Sequence, residues 1–254
     1  MSVRKFALTT LKWIAVCAFW LLVWQLASMF MDSTVLLPGP AATLKRLWEM
    51  CGEASLWTAV AFSLLRILLG FLGGMVMGCT LGAATAAFPL LRELFRPLMT
   101  IIKSTPVASF IILALVLIPT GAVPSFTVLL MVVPVFWTNI YTGATHTDRS
   151  LLEMAKVFRL SRGEKLRSIY LPSVMPYFTG ALTSGIGLAW KAGIAAEVIC
   201  VTRDSIGKGL FQSKIYLETE DLFAWTAVVI VLSLILENAL VALINAVTRR
   251  RKYD

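Results

Sequence analysis

Histidine occurs once in this 254-residue chain, as His146, and charged residues make up only 15 % of it. Zinc centres and proton relays built on histidine need more than one, so His146 reads as an ordinary loop residue. Cysteine is equally uninformative. Cys17 and Cys79 fall inside apolar runs, Cys51 and Cys200 stand apart, and no spacing suggests a metal site or a disulfide framework. A phosphate-binding Gly-x-x-x-x-Gly-Lys-Ser/Thr loop is missing. Gly207-Lys208-Gly209 is the nearest fragment and lacks both the spacing and the hydroxyl residue, so the chain is not expected to hydrolyse ATP itself. A membrane-embedded enzyme would need titratable groups clustered at membrane depth, and the carboxylates are scattered.

What the chain has in quantity is apolar surface: 58 % of its residues are hydrophobic and its mean hydropathy is +0.82. A water-facing shell cannot be built from that composition, whereas a bilayer solvates it. A net charge of +9 raises the possibility of nucleic-acid binding. Most of the basic residues, however, sit in short loops between apolar runs, where membrane orientation explains them, and no nucleic-acid partner is expected. The fold class expected is an all-α, polytopic membrane bundle forming one domain over residues 1–254.

Six apolar runs approach the ~20 residues that cross ~30 Å of hydrocarbon: residues 11–31, 57–84, 98–118, 123–144, 177–201 and 222–247. The first follows Arg4, Lys5 and Lys12 as a signal peptide would, but it exceeds the ~7–15 residues of a signal core and reads as an uncleaved anchor. Fifteen Lys and Arg residues fall on one side of these spans, including Arg92, Arg96, Arg249, Arg250, Arg251 and Lys252. Five fall on the other: Lys45, Arg46, Arg203, Lys208 and Lys214. Both termini are therefore expected to be cytoplasmic. Only Arg66, Lys103 and Lys191 remain, inside or at the edge of spans.

Leu37-Pro38-Gly39-Pro40 breaks the chain before an amphipathic stretch around Leu44, Leu47 and Trp48, which is expected along the outer interface. In the second run Gly70, Gly74, Gly78 and Gly82 recur every fourth residue and open one helical stripe to a neighbour's backbone. Packing within the bundle and a dimer face both fit that stripe.

The polar segment 145–176 holds six basic residues and is long for a connection. Ser150-Leu151-Leu152-Glu153 has the form of a capping box, with Leu151, Ala155 and Phe158 following on one helical face. Ser161 to Glu164 offers a second box, opening a helix that runs through Leu166 and Ile169 and ends at Leu171-Pro172. The pattern is a helix-turn-helix on the cytoplasmic surface. It fits both a docking site for a partner and a pair packed on its own bundle.

Glu153-Met154-Ala155, followed at the matching interval by Ile169-Tyr170-Leu171-Pro172, resembles the EAA signature of bacterial ABC importer permeases. Met154 stands where the family has Ala, and Arg159 where it has Gly, with Gly163 nearby as a source of flexibility. Ser63-Leu64-Leu65-Arg66 with Gly70-Phe71, Pro38-Gly39-Pro40, and Ala189-Trp190 with Ala196-Glu197 resemble the nitrate, sulfonate and taurine branch. The resemblance implies a type I permease fold in a bacterial inner membrane, with no cofactor on this chain. It implies an ATPase subunit using ATP and Mg, an extracytoplasmic solute-binding protein, and a homodimer within lipid. Coupling to the ATPase would fall to Glu153, Met154, Ala155, Phe158, Arg159, Gly163, Ile169, Leu171 and Pro172. The solute itself, whether nitrate, a sulfonate, taurine or a vitamin precursor, is left open. A secondary transporter uncoupled from ATP is the alternative; Pro134 interrupts one span, but no inverted repeat is visible.

Lys191 lies near the middle of the fifth run, where an unpaired ammonium costs ~2.5–3.5 kcal/mol. Glu197, about 120° round the helix, is a strained partner, and Glu237 on the sixth run is reachable only if the helices are offset. Arg66 comes out at a similar depth. Arg66, Trp190, Lys191 and Glu197 are therefore the candidate pathway residues, set against a purely architectural ion pair.

Overall fold

The computed structural model describes residues 3–30 and 37–250. Met31, the expected end of the first run, and Arg251 and Lys252 of the basic tally lie outside them. Every element among the described residues is helical: α1 (Val3–Phe30), α2 (Pro40–Cys51), α3 (Ala54–Ala87), α4 (Pro89–Ser104), α5 (Val107–Leu117), α6 (Val123–Thr145), α7 (Arg149–Val157), α8 (Arg162–Lys165), a π-helical turn (Leu166–Tyr170), α9 (Leu171–Cys200), α10 (Ile206–Ile215) and α11 (Thr219–Arg250).

The chain divides into two compact units, Met1–Trp57 with Gly209–Val229 and Thr58–Lys208 with Ile230–Asp254. In the first, Pro40 opens α2 behind an extended Gly39, because proline's fixed φ suits the first helical position. α2 presents Leu44 and Trp48 to the outside, Trp48 at 82 % exposure, the face expected of an interfacial helix. Arg46 makes a two-point pair with Asp221, Nε to Oδ1 at 2.6 Å and Nη2 to Oδ2 at 2.9 Å, which ties α2 to the first turn of α11. That carboxylate raises the guanidinium pKa further above its ordinary value.

The second unit is organised around α6 and α9. The glycine stripe of α3 packs on α6: a Cβ on Gly74 would meet the Leu129 carbonyl at 2.9 Å, one on Gly78 the Val133 carbonyl at 2.7 Å, and one on Gly82 the Trp137 carbonyl at 3.0 Å. The stripe is thus used inside one chain, the packing reading of the sequence. Phe136, Val128 and Ile67, all fully buried, fill the contact between α3, α6 and α9.

The expected count of six crossings is not reached by length and composition among the described residues. Three helices qualify, Ala54–Ala87, Val123–Thr145 and Thr219–Ala246, and α4 with α5 counts as a fourth only if taken as one broken span. The apolar part of α1, Ile14–Phe30, is shorter. α9 is long enough, but Thr183, Ser184, Lys191 and Glu197 dilute it. The third expected span, 98–118, is a correction: the chain bends by 106° between α4 and α5. Thr105 is extended there, as the residue before a proline is driven to be, and Pro106 follows it.

Candidate functional site

Two regions carry the residues singled out by sequence. The first is the polar segment between α6 and α9. Its N-cap is Asp148, whose carboxylate accepts from the Ser150 N–H at 2.9 Å. The Ser150-x-x-Glu153 capping box expected there does not form, because the helix starts two residues earlier, at Arg149. These Ser150 bonds hold the Asp148 carboxyl below the usual carboxylate range. The second box is present: the Ser161 N–H donates to Glu164 at 2.7 Å and the Glu164 N–H to the Ser161 hydroxyl at 3.3 Å. Those bonds lower the Glu164 pKa in the same way.

The turn between the two helices is made by Arg159, at φ 51°. This is the left-handed conformation that glycine adopts freely and an arginine adopts at a cost of roughly 1–2 kcal/mol. Arg159 therefore performs the backbone task of the glycine it replaces, and Gly163 sits inside α8 instead. The second helix does not end at Leu171-Pro172 as expected. α8, the π turn and α9 are continuous. The Leu171 N–H reaches back five residues to Leu166, and this wider turn makes room for the Pro172 ring, which would crowd the carbonyl four residues back in a regular helix.

Ala155 and Ile169 are buried, at 0 % and 4 %, so they seat the segment on its own bundle. Leu151, Met154, Val157 and Phe158 are exposed, the last two at 79 % and 71 %. Glu153 is exposed beside them. The face expected from Leu151, Ala155 and Phe158 is thus split: α7 stops at Val157, and Phe158 turns outward past its end. Behind the segment lies an apolar cavity of about 810 Å³, walled in part by Cys79, Ala83, Leu152, Tyr170 and Phe178.

The second region gathers Arg66 and Glu197 into one polar cluster. Glu197 is fully buried. It accepts from the Ser63 hydroxyl at 2.7 Å and the Gly207 N–H at 3.3 Å, and pairs with Arg66 at 3.5 Å. Arg66 also donates to the carbonyls of Arg203 and Asp204, at 2.9 and 3.1 Å. Val201 and Asp204 both have positive φ, 49° and 46°, so the arginine fork and the carboxylate hold a tightly wound 201–205 segment against α3. Strain of this kind persists only where neighbours over-determine it. Trp190, 2 % exposed, belongs to the core. Lys191 is exposed and belongs to neither group. Arg66 and Glu197, both candidate pathway residues by sequence, meet here; the Ser63 hydroxyl that binds Glu197, also accepting from the Ile206 N–H at 3.0 Å, is legible in the sequence only as part of a motif.

No group of three or more His, Cys, Asp or Glu residues suited to a metal ion occurs among the described residues.

The family described as "Binding-protein-dependent transport system inner membrane component" matches residues 70–252. The taurine transport system permease protein TauC of Escherichia coli (strain K12) is 27 % identical over 233 residues, 89 % of this chain and 84 % of that protein. The nitrate import permease protein NrtB of Synechocystis sp. is 25 % identical over 203 residues, 75 % of this chain and 71 % of that protein. In fold, the chain is similar to the MetNI methionine ABC transporter solved in inward-facing conformations, with a TM-score of 0.60 at 15 % identity, covering 75 % of this chain and 93 % of that one. With the all-helical fold and the EAA-like segment in place, the chain belongs to the family of binding-protein-dependent transport system inner membrane components and is one of its permeases.

Proposed function

We propose that this permease imports a small solute by alternating access, driven by a separate ATPase subunit that binds and hydrolyses ATP with Mg. An extracytoplasmic binding protein delivers the solute, and two copies of the chain enclose the path. Both termini and the α7–α8 segment face the cytoplasm of a bacterial cell. The similarity to permeases named for taurine and nitrate supports a small solute.

The observation that carries this reading is the exposed apolar set Leu151, Met154, Val157 and Phe158 on a short helix capped at both ends of the turn. Four large apolar side chains on a basic, water-facing segment form a patch suited to a protein partner. The segment can also transmit force. Its α8 end runs without interruption into α9, so displacement of the patch moves a membrane helix directly, and the cavity behind it leaves space for that displacement. Purifying the chain from its own membranes in mild detergent tests the proposal. An ATPase should accompany it in stoichiometric amount, and uptake should require ATP; uptake driven by an ion gradient with no ATPase retained would overturn it.

A further inference from the structure

Three charged side chains within the apolar runs of the second unit lie outside the Arg66–Glu197 cluster: Lys103, Lys191 and Glu237. Lys103 ends α4 beside the 106° bend and is exposed. Its Nζ donates to the Thr138 hydroxyl at 2.6 Å, and that hydroxyl donates in turn to the Pro134 carbonyl. The Trp137 ring lies 6.0 Å from Nζ; both partners are neutral, and no carboxylate pairs with Lys103 among the described residues. Lys191 is exposed on α9 and makes no hydrogen bond or ion pair among the described residues.

The two lysines belong to one layer. Ile102 and Ala192, their immediate chain neighbours, pack together with Met131 of α6 in a single buried cluster, which fixes the turns carrying both lysines against the same stretch of α6. Below Lys191, α9 exposes Gly180, Thr183 and Ser184, and Gly187 lies one turn from it. Glu237 of α11 rests there, its Oε1 3.0 Å from where a Cβ on Gly187 would lie. Two cations and one carboxylate leave a positive excess at membrane depth.

An uncompensated ammonium facing hydrocarbon is disfavoured, whereas one facing a water-filled path is tolerated. We propose that Lys103 and Lys191 form the anion-attracting element of the solute path, with Glu237, admitted by Gly187 one turn from Lys191, not paired with it, so that the ammonium is open to an arriving anion. The solute class this selects is a small anion, or a zwitterion entering by its anionic group. This assignment rests on the permease reading and deepens it; the polar stripe supplies hydroxyls for the anion's oxygens, and the glycines supply room.

The test uses the full chain in its membrane-assembled complex, with Cys17, Cys51, Cys79 and Cys200 replaced and Lys191→Cys introduced. Labelling rates are measured with anionic 2-sulfonatoethyl and cationic 2-trimethylammonioethyl methanethiosulfonate, in nucleotide-free and vanadate-trapped states. We expect labelling in at least one state, with the anionic reagent favoured. Adding Lys103→Gln should lower the anionic-to-cationic ratio about ten-fold, the effect of one nearby charge in a site of intermediate dielectric. Lys103→Arg should restore the ratio, which separates charge from misfolding. Labelling by membrane-permeant N-ethylmaleimide alone, or a ratio indifferent to Lys103→Gln, overturns the assignment. Retention of the ATPase by the same preparations reports on the importer reading separately, so the two can fail independently.

Discussion

Arg66 and Lys191 both stand within membrane-depth helices, yet the bundle treats them in opposite ways. Arg66 has a buried carboxylate at 3.5 Å and two backbone carbonyls within 3.1 Å; Lys191 has no partner among the described residues. A charge that the fold pairs and hydrogen-bonds is architectural, here holding the 201–205 segment, with its left-handed Val201 and Asp204, on α3. One that the fold leaves open is available to something that comes and goes. By sequence the two are cations at one depth, and only their surroundings separate them.

Removing the carboxylate has the largest expected effect. Glu197→Ala leaves Arg66, the Ser63 hydroxyl and the Gly207 N–H without their acceptor. Its expected cost is about 3–5 kcal/mol, the penalty for halving a buried pair, seen as loss of a monodisperse peak and a collapse of the melting temperature in detergent. Lys191→Met should leave both unchanged. If the two variants melt alike, the division into architectural and open charges is wrong.

Glycines sharpen the same contrast at smaller magnitude. Gly78→Ala drives a Cβ against Phe136 and the Val133 carbonyl, both 2.7 Å away, and overpacking of this kind costs about 1–3 kcal/mol. Gly180 has nothing within 4 Å, so Gly180→Ala should instead gain about 0.5–1 kcal/mol from helix propensity. Thermal unfolding of the two variants, measured side by side, checks the sign of each.

The segment between α6 and α9 shows where sequence reading succeeds and where it stops. The Ser161–Glu164 box is a local device of four residues, and the structure contains it as read. Helical spacing sets Ala155 on one face with Leu151 and Phe158, but a period of 3.6 says which residues share a face without saying which way that face points. Burial of Ala155 is decided by tertiary packing. The bend at Thr105-Pro106 was in principle legible, since proline restricts its predecessor; the apolar run across it hid the break. Arg159 is the reverse case. Its departure from glycine left the turn uncertain, while the backbone adopts the glycine conformation regardless. Arg159→Gly should therefore stabilise the segment by about 0.5–1 kcal/mol, the strain relieved less the entropy glycine adds, detectable as slower proteolysis of the loop.

The smallest expected effect is that of pH on the caps. Asp148 and Glu164 have lowered pKa values in the folded chain, so their stabilisation is fully present above the ordinary carboxylate pKa of about 4 and is lost as pH falls through the lowered values. Proteolysis of the segment should be insensitive to pH between roughly 5 and 8 on this account, and Asp148→Asn should flatten the loss at lower pH.

On the proposed function, α7 and its exposed end are the handle by which a separate ATPase drives this permease. The direct measurement is retention of the ATPase on affinity-tagged chain bearing Val157→Asp with Phe158→Asp, compared with the unaltered chain. Neither side chain supports the fold, at 79 % and 71 % exposure, so the melting temperature should hold. Retention should fall by about thirty-fold or more, as for a hot-spot residue of about 2 kcal/mol, and ATP-dependent uptake should fall with it. Undiminished retention and uptake in that folded variant would contradict the claim.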